Sequence, residues 1–314
     1  MHYLNHFDPD QIRALNQSGQ FFWLDLLAPS NDEIDQLADL LDLPPLAAED
    51  TKEFRQRAKI DDYGDRLLIV FYGVQPGGDE EDMELIEVHM HLSHGQVLTV
   101  HRRPCPPFDT VPSERLHSDQ EIVYRILDSL SESVLTSLRA IEADVTQLEQ
   151  RAFEAPSAAD RRRIVELRGR LFRLQQIIVP QRDMLDPGAS AIERVLVLGP
   201  GQAHHPFQDI RDDLVLAVAL IAYSRELLAE ALNVYLQSTS NRLTEVATRL
   251  SVLATIFVPL TIITGFFGQN FGWLVRHIDS LAAFLVLGVG GTIGTAVVIG
   301  VGLWRAGYLN SGGQ

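Results

Sequence analysis

Up to about residue 117 the apolar positions come in short bursts. Residues 21–27, Phe-Phe-Trp-Leu-Asp-Leu-Leu, predict a strand that Pro29 closes. Ser30 or Asn31 then caps a helix, with Asp32 and Glu33 in the first turn, where the helix dipole favours acids. Ile34, Leu37, Leu40 and Leu41 fall on one face of it. A short second helix is predicted over 46–51. Residues 58–63 and 66–74 alternate or run apolar around Gly64-Asp65, a hairpin signal. Residues 75–82 form a turn. Two more strands, 83–92 and 96–101, are joined by Ser93-His94-Gly95, and 104–112 is irregular. The sum is a mixed sheet with helices, an α/β domain over 1–117.

From about Ser118 the rhythm becomes helical. Ile122, Ile126, Leu130, Val134, Leu138, Ile141, Val145 and Leu148 recur every three or four residues, until Ala155-Pro156-Ser157 interrupts them. Ser157 caps a second long helix, predicted over 158–185, whose Ile164, Leu167, Leu171, Leu174 and Ile178 match the first. The two form an antiparallel hairpin, Asp186-Pro187-Gly188 ends it, and a loop runs to Pro206. The hairpin and its loop occupy 118–206.

A last helix starts near Phe207 and continues to Gly268, with Pro259 as its one interior proline. At 1.5 Å per residue it is a rod of about 90 Å, about three hydrocarbon-core thicknesses. Residues 207–249 are therefore a stalk outside the membrane. Leu214, Val218, Ile221, Leu228, Leu232, Tyr235 and Leu236 need partners, which copies of the chain and the hairpin supply. From Leu250 to Val275, and again from Leu281 to Trp304, there is no Asp, Glu, Lys or Arg. Both runs exceed the roughly 20 residues that cross a bilayer. The spans are 250–268 and 281–304, separated by an outer loop, 269–280, and followed by a tail, 305–314.

Composition changes this picture in two ways. The 314 residues carry a net charge of −16, nearly all of it before Arg249, which argues against nucleic acid and for cations. The single cysteine, Cys105, excludes a disulfide within the chain and fits a reducing compartment. Residues 1–8 have neither a basic nor an apolar leader region, so the large domain is expected in the cytoplasm. Arg242 and Arg249 before the first span, and Arg305 after the second, oppose Arg276 in the loop. That bias places both termini inside a cell membrane. No Walker motif and no catalytic constellation occurs, so the chain reads as no enzyme and as needing no nucleotide.

Candidate ion chemistry sits on the first span. Thr244, Ala247, Ser251, Ala254, Val258, Thr261, Gly265 and Gly268 follow at steps of three or four, a stripe of small or hydroxyl residues. Leu253, Ile256, Leu260, Ile263 and Phe267 occupy the other face. Small residues also suit plain helix packing. In a ring of identical helices the same stripe lines a narrow water path, with Leu250 and Val258 as apolar constrictions. At its outer end Gly268-Gln269-Asn270 presents carbonyl and carboxamide oxygens. Such oxygens hold a hydrated Mg²⁺ through its water shell. The glycine-rich second span suits an outer helix. Regulatory metal candidates are Asp209, Asp212, Asp213, Glu226 and Glu230 on the stalk, and Glu142, Asp144 and Glu149 on the hairpin. Each is equally an ordinary solvated acid. His89 and His91 share a strand face with His94 at its turn, a possible transition-metal set lacking a fourth ligand.

An N-terminal α/β domain, a long stalk helix, two terminal spans and a Gly-x-Asn signature after the first resemble the CorA-type divalent cation transporter family. Trp23-Leu-Asp-Leu, Leu46-Ala-Ala-Glu-Asp50 and Arg57-Ala-Lys-Ile60 are secondary likenesses. The resemblance covers the whole chain. It implies a homopentameric funnel with the first span lining the pore. It further implies Mg²⁺ uptake with Co²⁺ and Ni²⁺ as lesser substrates, and closure by cytoplasmic Mg²⁺ bound by acids between subunits. Two departures bear on ion choice. The family's usual signature is Gly-Met-Asn, and here Gln269 stands in the middle, a position the Zn²⁺-transporting ZntB branch also varies. The following turn has Asp279 as its one acid, beside Arg276-His277. A ZntB-like, proton-coupled Zn²⁺ transporter is the alternative.

Overall fold

A computed structural model describes residues 2–76, 83–109, 111, 118–154, 157–196, 204–268, 272–277 and 280–305. The chain divides into two units, Met1–Val234 and Tyr235–Gln314.

The first unit holds a six-stranded mixed sheet, β1 (His2–Leu4), β2 (Phe22–Leu27), β3 (Lys59–Asp62), β4 (Arg66–Pro76), β5 (Met83–Ser93) and β6 (Gln96–His101). Its order is β1-β2-β6-β5-β4-β3. β1, β2 and β6 run parallel, and β6, β5, β4 and β3 pair antiparallel. The predicted hairpins are therefore present. The pleat separates two cores. Leu67, Ile69 and Phe71 of β4 join the apolar faces of α5 (Asp119–Glu154), α6 (Ala158–Val195) and α7 (His204–Gly268). Leu68, Val70 and Tyr72 turn the other way, towards Ala47 and Ala58. Beyond β6, Phe22, Leu24, Leu98 and Val100 pack under α1 (Pro9–Ser18) and α2 (Asn31–Leu41).

Three features depart from the periodicity. β1 and α1 are not predicted by it, although Asp8 accepts from the Asp10 and Gln11 amides, Pro9 opens α1 and Gly19 ends it at φ 66°. A short helix, α4 (Pro106–Asp109), lies in the stretch expected to be irregular, and α3 (Pro45–Glu53) fills the predicted 46–51. The correction of most consequence concerns α6. It continues through Asp186-Pro187-Gly188 to Val195, with Pro180 and Pro187 inside it. Leu185, Ala189, Ala191, Ile192 and Val195 extend its buried face, and a side chain at Gly188 would meet Ile60 Cδ1 at 2.2 Å. Burial of that extra apolar face outweighs the lost proline amide bonds, which is why the local stop signal fails. Gln75 and Pro76 extend β4 into the predicted turn, and the rest of that turn lies outside the described residues, as do Ala155 and Pro156.

β3 covers β4 only as far as Val70. Past that point two helix side chains plug the exposed edge of β4. Gln181 Oε1 accepts from the Tyr72 amide at 2.6 Å, and Ser133 Oγ accepts from the Val74 amide at 3.0 Å. An edge strand left open is a template for pairing with another chain, so these bonds close it while fixing α5 and α6 on the sheet. Gly73 sits between them, where a side chain would lie 2.7 Å from Leu130 Cδ2.

In the second unit α7 ends at Gly268, followed by α8 (Gly272–His277). The second apolar helix begins as α9 (Leu281–Ala283), widens into a π-helical stretch over Phe284–Gly290, and continues as α10 (Gly291–Arg305). Two helical segments, Phe207–Phe266 and Leu281–Arg305, are long and apolar enough to cross a membrane.

Candidate functional site

The stripe residues Thr244, Ala247, Leu250, Ser251, Ala254, Val258, Thr261 and Gly265 are all exposed in the single chain. Val252, Ile256, Pro259, Leu260 and Ile263 are half-buried instead. At 3.6 residues per turn the two sets occupy opposite sides of α7. The second span is half-buried at Gly291, Thr292, Thr295, Ala296, Ile299, Gly300 and Leu303, and buried at Gly288. Of the glycines expected to pack closely, Gly288, Gly291 and Gly300 lie on that covered side, whereas Gly290, Gly294 and Gly302 are exposed. A groove between the spans is lined by Thr264 and Gly268 on one side and by Phe284, Gly288 and Thr292 on the other.

Hydroxyl direction adds chemistry to the stripe. Thr261 Oγ1 donates to the Phe257 carbonyl at 2.7 Å and Thr244 Oγ1 donates to the Ser240 carbonyl at 3.0 Å. Each hydrogen is spent on the helix's own backbone. What remains outward is a pair of lone pairs, an acceptor that suits a cation's water shell. Gly268 closes the helix, while Gln269 and Asn270 lie outside the described residues.

The stalk acids separate into groups. Asp209 and Asp213 of α7 share a field with Asp128 and Glu132 of α5. Burial first, then Glu132, Asp128 and Asp209, raise the Asp213 carboxyl above its ordinary value. Burial, opposed by Arg125 and assisted by Glu132 and Asp209, does the same for Asp128. Asp128 and Glu132 were not among the predicted residues. Their i,i+4 spacing is visible in the sequence, but the register that brings them against α7 is not. Asp212 lies 3.7 Å from Arg211, and Asp144 pairs with Arg163 at 2.6 Å. Glu226 and Glu230 are exposed and Glu142 and Glu149 half-buried. Among the described residues, no set of three or more His, Cys, Asp or Glu is arranged to hold a metal. Within one chain, then, the acids are close enough to repel but form no cage.

The histidine set does not assemble. His89 bonds Glu87 at 2.8 Å and stacks on Phe54, with ring centroids 4.5 Å apart. His91 Nε2 meets Thr51 Oγ1 at 2.8 Å. That hydroxyl already donates to the Ala47 carbonyl, so His91 is the donor. Burial, then His89 and Arg66, push the His91 imidazole down to about 3, which keeps it neutral. His94 is exposed at the turn. A buried network missed in the sequence lies nearby. Trp23 donates to Thr99 at 3.0 Å, Thr99 donates to Asp25 at 2.5 Å, and His101 joins Asp25 at 3.1 Å. Cys105 is buried.

The family model for the CorA-like Mg²⁺ transporter protein matches residues 18–305. The chain belongs to the CorA-like Mg²⁺ transporter family. It is a divalent-cation transporter and a membrane protein of that family. Among its relatives, the putative metal ion transporter YfjQ of Bacillus subtilis is 27% identical over 90% of this chain and 88% of that protein. The cobalt/magnesium transport protein CorA of Thermotoga maritima is 25% identical over 93% and 85%. The zinc transport protein ZntB of Yersinia enterocolitica is 24% identical over 94% and 89%. The complete structure of the CorA magnesium transporter from Methanocaldococcus jannaschii has a TM-score of 0.78 at 18% identity, covering 91% of this chain and 90% of that one. The fold expected from the sequence, an α/β domain, a long helix and two terminal apolar helices, is the fold of that transporter.

Proposed function

We propose that the chain forms a homopentamer that conducts Mg²⁺ inward, with Co²⁺ and Ni²⁺ as lesser substrates, both termini lying in the cytoplasm. The observation that carries this reading is the open stripe on α7. It is small and acceptor-rich, and it lies opposite the half-covered face of the same helix. Brought together around an axis, five such stripes make a wet path through a span free of Asp, Glu, Lys and Arg. Leu250 and Val258 are the constrictions. Gly268, Gln269 and Asn270 ring the outer mouth and hold the ion through its waters, weakly enough for release. A divalent ion moving inward gains about 4.6 kcal/mol per 100 mV, so the membrane potential alone drives uptake.

Cytoplasmic Mg²⁺ holds the pore shut by bridging acids between subunits. Asp209 and Asp213, crowded by Asp128 and Glu132, are the half-site best supported by their mutual repulsion. A bridging Mg²⁺ relieves that repulsion. Flux into liposomes, measured separately for Mg²⁺ and Zn²⁺, tests the reading. Asn270→Ala is expected to abolish or strongly reduce Mg²⁺ flux in a protein that still reaches the bilayer. Undiminished flux would remove the pore assignment. Gln269 in place of methionine, together with the ZntB relative, favours a second reading, Zn²⁺ transport coupled to protons. Zn²⁺ flux that rises with an imposed pH gradient, with no Mg²⁺ flux, would select it.

A further inference from the structure

The first unit carries an arginine-lined groove that the ion pathway does not use. We propose that it binds a nucleoside polyphosphate. The groove has a volume of about 730 Å³, within the range of small-molecule sites. Its walls come from separate parts of the chain: Phe54 and Arg55 after α3, Arg102 and Arg103 after β6, and Arg173 on α6. Four arginines line one groove in a chain whose net charge is −16.

The acids lining the groove are already engaged. Glu87 accepts from the Arg55 amide at 2.7 Å, the Gln56 amide at 2.8 Å and His89 at 2.8 Å. Glu84 pairs with Arg103 at 2.7 Å and accepts from Gln75 at 3.0 Å. Arg102 is held in place but not neutralised. Its guanidinium lies 4.4 Å from the centre of the Phe54 ring, and its Nη2 donates to the Lys52 carbonyl at 2.6 Å. Among the described residues no carboxylate pairs with Arg55 or Arg173. Among the described residues, three of these arginines therefore have no carboxylate partner, and they stand over an apolar floor of Tyr72, Leu85 and Ile177. Guanidinium forks match phosphate oxygens in pairs, and an apolar floor matches a base.

The backbone supports the arrangement. Phe54 and Arg55 stand consecutively at φ 56° and 58°, left-handed values that cost free energy in residues with side chains. The Glu87 carboxylate, clasping the two following amides, holds that bend. Its result is that Phe54 packs inward against His89 and Arg102, while Arg55 stays exposed at the groove. The chain has no Walker motif, so the bound nucleotide acts as a ligand of this unit and not as fuel. The inference is independent of which cation is transported.

Equilibrium dialysis of the full chain in detergent, with ATP, inorganic triphosphate and adenosine as probes at low salt, tests it. Saturable ATP binding is expected, weaker binding of triphosphate, and none of adenosine. The Arg55→Ala/Arg173→Ala double variant should weaken ATP by about tenfold or more, since two charge-assisted contacts are lost. Arg162→Ala, exposed elsewhere on α6, should leave it unchanged. Circular dichroism reports whether the double variant folds; if it does not, Arg173→Gln alone serves, with a smaller loss expected. No saturable ATP binding, or ATP binding unchanged in the folded variants, would overturn the proposal. So would adenosine binding as tightly as ATP. Triphosphate binding as tightly as ATP would overturn the role given to the floor.

Discussion

Neutral, buried His91 makes the stability of the first unit pH-dependent in a calculable way. Its imidazole is held near 3 in the folded chain against about 6.5 in the unfolded one. The unfolded state therefore binds a proton between those values that the folded state refuses, and stability falls as pH falls through 6.5. From pH 7 to pH 5 the linkage relation gives a loss of about 2 kcal/mol for this one group. That figure is insensitive to the folded value, because any folded pKa well below 5 yields the same loss. His101 works in the opposite direction. Burial opposes its charged form, but Asp25 and the Arg103 carbonyl raise its pKa overall, so its contribution is present below 6.5 and fades as pH rises. A comparison of variants isolates His91. His91→Gln keeps a donor towards Thr51 and cannot be protonated. Urea unfolding followed by Trp23 fluorescence in a Trp273→Phe/Trp304→Phe background, at pH 7 and pH 5, should show the chain with His91 losing about 2 kcal/mol more than His91→Gln. Equal pH slopes would refute the argument. Zn²⁺ that abolished the slope in wild type would restore the metal-site reading of these histidines.

Three further outcomes follow from the same structure. Asp213 has a raised pKa, so its charge opposes folding at neutral pH and the opposition fades as pH falls through the folded value. Asp213→Asn should therefore stabilise the metal-free protein by a few tenths of a kcal/mol after solvent screening, and should reduce the added stability that Mg²⁺ confers in a melting assay. Gln181→Leu strands the Tyr72 amide on an uncovered strand edge. It should cost about 1–3 kcal/mol by chemical denaturation, with aggregation on heating. Ser157 caps α6, its hydroxyl accepting from the Asp160 amide while Asp160 caps in return. Ser157→Ala should lower stability by about 1 kcal/mol, read as a shift in denaturation midpoint at unchanged slope.

What was legible in the sequence followed the period of its residues. Strand 66–74 is a short apolar run and 96–101 a short apolar burst after a turn, and the helix from Ser118 repeats every three or four residues, so their positions emerge to within a residue or two. The end of α6 does not, because Pro187-Gly188 is a local signal and the packing of Gly188 on Ile60 is a distant one. The same distinction governs the site. The stripe on the first span and the Gly-x-Asn signature are local, and both can be read from spacing. The crowding of Asp213 by Asp128 and Glu132 depends on the register of two helices more than seventy residues apart in sequence, which no period encodes. His89 and His91 share a face as predicted, yet each is bound to a different neighbour, Glu87 and Thr51, that only the fold supplies.

The face left open on α7 also constrains what any pore could do. Its threonines, Thr244 and Thr261, give their hydroxyl hydrogens to the helix, so there the stripe offers acceptors and no cationic donor. An anion would meet lone pairs there; a hydrated cation would meet partners for its water hydrogens. The nearest charge on the same helix is Arg249, which is drawn towards Glu245 one turn earlier. In the proposed pore that pair would leave the entrance close to neutral, so that no fixed charge there traps or repels a cation. In the proposed pore, selection would then come from the fit of water shells to carbonyl and hydroxyl oxygens, a mechanism in which exchanging Thr261 for valine removes an acceptor while preserving shape. In liposomes Thr261→Val should slow divalent flux several-fold without changing assembly. Flux equal to wild type would mean that this side of α7 does not face the ion.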